Sequence, residues 1–194
     1  VGAGAGGVEL CFAVQHSLRK KFPDRAFRTH LFMEGKTILS EFNTSTRIQF
    51  ERLLTKKNIQ LHREFRAISA AGGLLVSADA REVQLDETFW ITQAGAQSWP
   101  AASGFAVDAA GFIQVEDTLQ TLDSDNVFAV GDCARMVNHP RPKAGVYAVR
   151  QGKPLFRNVM ALLLGTNPKP YRPQSSFLSL ISTNSICQGE TREG

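Results

Sequence analysis

A chain of 194 residues with 43% apolar content can bury one core or two small ones. Its net charge of +4 is modest, and no Lys/Arg block is dense enough to demand a nucleic-acid partner, although a pI near 9.2 would permit one. Three cysteines (Cys11, Cys133, Cys187) without a CxxC spacing, and four histidines without a ligand pattern, argue against a metal site and for a reduced, cytoplasmic setting.

The elements read in chain order as follows. After the glycines of VGAGAGGVEL, the run VELCFAVQHSLRKKF places Val8, Cys11, Phe12, Leu18 and Phe22 at helical spacing. Its basic residues collect in the last turn, where they suit the helix dipole, and Pro23-Asp24 stops it. FRTHLFME, from Phe27 to Glu34, predicts a mostly buried strand. A second helix, STRIQFERLLTKKN, takes Ser45 as its N-cap and Asn58 as its stop. The short runs IQLHREF, LLVSA, EVQL and FWIT, separated by glycine and acidic turns, predict a small antiparallel meander. TQAGAQSWPAASG is a loop, and two strands, FIQVE and NVFAVG, bracket DTLQTLDSD. GVYAVRQGKPLFRNVMALLLG is helical, with Gly152 and Pro154 predicting two pieces that meet at a kink. Its apolar run VMALLLG is far too short to cross a bilayer, and no basic region precedes an apolar one at the N-terminus as in a signal peptide. TNPKPYRPQ is a proline-rich exit.

Two motifs carry chemistry. Gly2, Gly4 and Gly7 match G-x-G-x-x-G. In such a turn the first glycine permits the tight bend, the second lets a pyrophosphate approach the backbone, and the third lets the helix pack close to the sheet. An amphipathic helix follows, then a strand ending at Glu34, whose carboxylate is placed to accept hydrogen bonds from a ribose diol. A solvated turn acid is the plainer alternative for Glu34. Glu9 reads as an acid in the first helical turn, favoured by the dipole. The second motif, NVFAVGDCA, is an apolar strand running into Gly131-Asp132, and from spacing alone it is no more than a strand with an acidic turn. Cys133 reads as a small packing residue, because no neighbouring base or second cysteine supports redox work.

With both motifs and the phrase PKAGVYAVRQG in view, residues 1 to about 180 resemble the FAD-dependent pyridine nucleotide oxidoreductases. The similar branch is that of the type II NADH dehydrogenases, including those fused to selenide, water dikinase. The resemblance implies an α/β, Rossmann-like FAD/NAD(P)-binding fold: a parallel sheet with helices plus a small antiparallel meander, in an incomplete two-domain flavoprotein. By that resemblance, GAGAGGVE is the nicotinamide-dinucleotide loop, with Glu9 facing the nicotinamide end. Gly95 belongs to a crossover closing over the dinucleotide. Gly131 and Asp132 return to the flavin, and Ala144, Gly145 and Val146 present backbone to its ring. Residues 1–96 would form the NAD(P)H domain, 97–173 the returning part of an FAD domain, and 174–194 a tail whose polar end, NSICQGETREG, departs from the family.

The implied cofactors are FAD and NAD(H). The implied reaction is hydride transfer from NADH to flavin and onward to a small-molecule acceptor such as a quinone, with no general acid or base assigned. Glu34 implies a preference for NAD over NADP of roughly ten- to hundredfold, offset by any nearby Lys36 or Arg28. Because Val1 already lies inside a motif, a fragment is expected, one that alone neither retains FAD nor turns over NADH. Its NVFAVG strand, of a kind normally buried on both faces in a parallel sheet, would then be poorly covered and either pair with another chain, giving a homodimer through residues 105 to 165, or leave its segment partly disordered. Peripheral contact with the inner face of a membrane is a further expectation for the parent. The rival readings are a dinucleotide- or protein-binding module without turnover and a basic nucleic-acid-binding domain. No aromatic-basic stripe favours the second.

Overall fold

The computed structural model describes residues 1–182 and 187–193, which divide into two compact units. One spans Val1–Thr92 and takes in part of the C-terminal segment; the other is built on Gln93–Leu178.

In the first unit, α1 (Ala5–Lys21) starts directly from Gly4 and ends on Arg19, Lys20 and Lys21, with the Phe22 N–H closing onto the Leu18 carbonyl at 2.9 Å. Its buried stripe of Gly7, Val8, Phe12 and Gln15 covers β1 (Thr29–Phe32). α2 (Thr44–Lys56) then leads to β2 (Ile59–His62), which pairs parallel to β1 with Phe32 opposite His62. Val8, Phe12, Leu31, Met33, Phe50, Leu54 and Ile59 form the main core, joined by Ile181. Asn43, not Ser45, caps α2: its side-chain oxygen accepts from the Thr46 N–H at 2.9 Å and from the Ser45 hydroxyl at 2.8 Å. Both residues are good caps, and the one placed to reach the Thr46 N–H wins. Asn58 ends the segment as expected, in the left-handed region at φ +56°.

Beyond β2, three strands, β3 (Ala67–Ala71), β4 (Leu74–Ser77) and β5 (Glu82–Gln84), make an antiparallel sheet in that order. β3 is AISAA, whose small residues carry no strand signal. FWIT is not a fourth strand of the meander. Residues 89–91 run beside the N-terminus instead: the Ile91 N–H donates to the Val1 carbonyl at 2.8 Å, and the Val1 ammonium donates to the Phe89 carbonyl at 2.6 Å. Phe89 and Trp90 are exposed there, so no buried face holds them in a sheet. Phe32, Phe65 and Leu75 form a second small core, with Val1, Val83 and Leu85 packed against it.

In the second unit, α3 (Trp99–Ala102) precedes a sheet of β6 (Ile113–Val115), β7 (Gln120–Thr121), β8 (Ser124–Phe128) and β9 (Ala134–Met136) in the order β8-β7-β6-β9. β6 runs antiparallel to β7 and parallel to β9. NVFAVG has the poor cover expected of it in this chain, and its pairing is antiparallel. Its strand ends at Phe128, lies at the sheet edge antiparallel to β7, and leaves Val127 exposed. Nor is the following helix split. α4 (Gly145–Leu163) runs unbroken through Gly152 and Pro154. A proline here removes one helical N–H, and packing through buried Tyr147, Gln151 and Asn158 holds the helix despite it. Asn158 is the firmest tie: its Nδ2 donates to the Thr118 and Lys169 carbonyls at 2.8 and 2.9 Å, and its Oδ1 accepts from the Lys169 N–H at 2.9 Å.

Within the expected tail, β10 (Ser176–Ser182) pairs with β11 (Cys187–Glu193). The rest of that tail, residues 183–186 and Gly194, lies outside the described residues. Among the described residues no helix is long and apolar enough to cross a membrane, and no three His, Cys, Asp or Glu side chains gather as a metal site.

Candidate functional site

The three motif glycines are held by different constraints. A Cβ on Gly2 would lie 2.0 Å from the Ile91 carbonyl oxygen, and Gly2 itself sits at φ +109°. A Cβ on Gly7 would lie 1.8 Å from the Gly2 carbonyl oxygen. Both positions are closed by backbone. A Cβ on Gly4 would meet nothing within 4 Å. Gly4 is also the N-cap of α1 and offers no side-chain cap, so the first-turn N–H groups face the same open space. The loop is tied to the sheet by the Gly2 N–H, which donates to the Phe32 carbonyl at 2.9 Å, and by the Leu39 N–H, which donates to the Ala3 carbonyl at 2.8 Å.

The first of these bonds sets the loop beside the end of β1, two positions before Glu34. Glu34 is exposed, and its carboxylate lies 3.7 Å from the Arg66 guanidinium. The Lys36–Glu64 pair (3.6 Å) and the Arg63–Glu51 pair (3.0 Å) flank it. Glu9 is half-buried and lies past the first turn of α1, which holds no acid because the helix begins at Ala5. The dipole argument made for Glu9 from the sequence therefore does not apply.

In the second unit, Gly131 and Asp132 open a 3-10 turn, with Gly131 at φ +70°. The Gly131 N–H donates to the buried Gln151 Oε1 at 2.6 Å, which pins the turn to α4. A Cβ at Gly131 would lie 3.3 Å from that of Ala148. Gly131, Asp132 and Ala144 line a shallow open cleft together with Arg135, Arg141 and Lys143. Three cationic side chains thus share the lining of this cleft with the Asp132 carboxylate. Arg135 is paired with Asp108 at 3.4 Å, and the Arg141 Nε donates to the Gln174 carbonyl at 3.0 Å. The Lys143 ammonium donates to the Ala134 carbonyl at 2.5 Å and sits 3.9 Å from the centre of the Phe112 ring. Burial lowers the Lys143 pKa below the ordinary lysine value. Ala144 is the N-cap of α4 and has no side-chain cap, and Gly145 begins the helix with open space where a Cβ would be.

The structure thus brings Gly2, Gly4, Gly7 and the end of β1 together, and separately brings Gly131, Asp132 and Ala144 together. Val146 lies in the first turn of α4, half-buried. Gly95 is exposed in an irregular segment of the second unit, with open space around it. Arg66 and Gln151 are residues of these sites that sequence reasoning did not single out, whereas Lys143 was expected as the start of the loop, through Val146, on one side of a flavin site. Gln151 had one usable signal, a polar side chain on the same helical face as Tyr147 and Asn158.

Compared with known proteins, the family model described as "Pyridine nucleotide-disulphide oxidoreductase" matches residues 1–152. The chain is 27% identical to a type II NADH:quinone oxidoreductase of Haemophilus influenzae, over 96% of this chain and 45% of that protein. It is 26% identical to the internal alternative NAD(P)H-ubiquinone oxidoreductase A1 of Arabidopsis thaliana mitochondria, over 82% of this chain and 33% of that one. Reduced Bacillus anthracis CoADR-RHD superposes with a TM-score of 0.72 at 17% identity, over 98% of this chain and 33% of that structure. The chain spans less than half the length of these relatives. The fold is the α/β, Rossmann-like architecture of FAD/NAD-binding oxidoreductases, and the chain belongs to the pyridine nucleotide-disulphide oxidoreductase family.

Proposed function

We propose that the first unit binds the nicotinamide dinucleotide of an NADH:quinone-type oxidoreductase and that the second unit contributes one side of its FAD site. The observation that carries this reading is the split among the motif glycines. Two are closed by backbone, while Gly4 opens onto the uncapped N-terminus of α1. A pyrophosphate fits such a cradle, because the first-turn N–H groups donate to it and no side chain blocks its approach. Glu34, two residues past the end of β1, would accept from the adenosine ribose. The names of the relatives point the same way, toward electron transfer to a quinone.

The cationic cleft suits part of a second anionic cofactor. Asp132 would accept from its ribityl hydroxyls, and the N-terminal N–H groups of α4 would face the electron-rich edge of its ring. When bound, the flavin supplies hydride acceptance and the onward passage of electrons. The chain's own residues do the positioning. Gln151 fixes the Gly131 turn, Lys143 and Arg141 hold positive charge at the cleft, and the α1 N-terminus orients the dinucleotide. No side chain is assigned a proton transfer. The division at residues 96 and 173, a homodimer through 105–165 and peripheral membrane contact stay part of this proposal for the parent enzyme.

Titration of the chain with NADH, followed by calorimetry, tests the reading. Gly4→Val fills the open approach and should abolish most of the affinity while costing only about 1 kcal/mol of stability, the loss of glycine as N-cap. Equal NADH affinity in the variant and the wild type refutes the assignment of the loop.

A further inference from the structure

We propose that Arg66 reads the 2′ position of the dinucleotide's adenosine ribose and brings NADPH to within about tenfold of NADH in affinity; this rests on the dinucleotide reading of the glycine loop. Glu34 taken alone repels a 2′-phosphate and favours the free diol. The structure does not leave it alone. The Arg66 Nε stands 3.7 Å from its carboxylate, so the charge that would reject the phosphate is balanced at its source.

The other cations of this edge are already matched to acids of their own. Lys36 pairs with Glu64, Arg63 with Glu51, and Arg81 with Asp79 at 2.9 Å. Lys36, which neighbours Glu34 in sequence, is therefore not the cation paired with it; Arg66 is. Arg66 reaches Glu34 because the β2–β3 connection returns past the end of β1: the Phe65 N–H donates to the Met33 carbonyl at 2.8 Å. Its own backbone is anchored, with the Ala78 N–H donating to the Arg66 carbonyl at 2.8 Å, while its side chain is 71% exposed. An exposed ion pair of this length exchanges partners at little cost. Two geometries follow from one pair of residues. With a free diol the carboxylate accepts from the ribose hydroxyls. With a 2′-phosphate the guanidinium turns its planar fork onto the phosphate oxygens, a match that a lysine ammonium does not reproduce.

The experiment titrates the full chain with NADH and with NADPH by cofactor fluorescence, in wild type, Arg66→Gln, Arg66→Lys and Glu34→Gln, with Gly4→Val as the control for the loop. Wild type should bind both nucleotides within about tenfold of each other. Arg66→Gln should weaken NADPH about tenfold while moving NADH less than about threefold. Arg66→Lys should recover only part of that loss, and Glu34→Gln should tighten NADPH. If wild type binds both nucleotides, Gly4→Val loses both, and Arg66→Gln leaves their ratio unchanged, the role of Arg66 is overturned while the loop assignment stands. If wild type binds neither, the loop assignment falls and this inference with it.

Discussion

Gly7→Ala is the sharpest structural perturbation available in the glycine loop. The added methyl would sit 1.8 Å from the Gly2 carbonyl oxygen and 2.8 Å from its carbon, both backbone atoms with no rotamer to give way. Relief requires α1 to lift from the loop. That move separates Val8 and Phe12 from Leu31 and Phe50, all of them buried in the main core. Overpacking commonly costs ~1–3 kcal/mol, and a backbone clash belongs at the upper end. For a unit near 100 residues this corresponds to a Tm lowered by roughly 10 °C or more. Thermal unfolding followed by circular dichroism, with Gly4→Ala as the comparison, measures it. Gly4→Ala meets open space and should lose only about 1 kcal/mol or less, the difference between glycine and alanine as an N-cap. A Gly7→Ala protein melting within about 2 °C of wild type would show that loop and helix are not in contact as described.

The other predictions concern the cores and the polar ties. The His30 Nδ1 and His62 Nε2 lie 3.0 Å apart beside Phe32 and Phe65, and burial, with Arg28 near His30 and His30 and Arg81 near His62, lowers both pKa values from the ordinary 6.5. Because the unfolded chain then binds protons more readily, stability should be full above about pH 6.5 and fall as the pH drops below it. Urea unfolding between pH 8 and pH 5 checks the slope, and His62→Asn should flatten it; an unchanged slope in that variant contradicts the argument. Asn158→Ala removes the partners of two carbonyls and one N–H at a site only 2% exposed, so it should cost ~2–4 kcal/mol. Chemical denaturation measures that loss, and a cost below about 1 kcal/mol would mean that water reaches those groups.

What the sequence makes legible is whatever repeats locally. The spacing of Val8 and Phe12, the basic last turn and the glycine motif place α1 and its loop correctly, because each depends on residues a turn or two apart. The parts that stayed hidden depend on distance. Arg66 meets Glu34 only after the chain has passed through α2 and β2, and Gln151 meets Gly131 only after β9 and the turn into α4. β3 is alanine-rich and β9 is three residues long, so pairing with neighbours makes them strands, not propensity. Gly152 and Pro154 advertise a break that the contacts of Tyr147, Gln151 and Asn158 override. The apolar run of NVFAVG makes it legible as a strand and its poor cover was expected, but its antiparallel pairing with β7 depends on residues outside the run. The glycine motif was legible as a pattern. Which backbone atoms close Gly2 and Gly7, and that the space at Gly4 is left open, became visible only once Ile91 and the Gly2 carbonyl were seen against them.

The central claim is that a dinucleotide binds at the N-terminus of α1 and along the end of β1. Amide chemical-shift mapping of the isotope-labelled chain during addition of NADH tests it residue by residue. The account predicts saturable shifts concentrated at Gly4 to Val8 and around Glu34 and Arg66, with the β6–β9 sheet largely unmoved by the same additions. Saturating NADH that leaves the amides of Gly4 to Val8 unshifted, or shifts confined to the second unit, would contradict it.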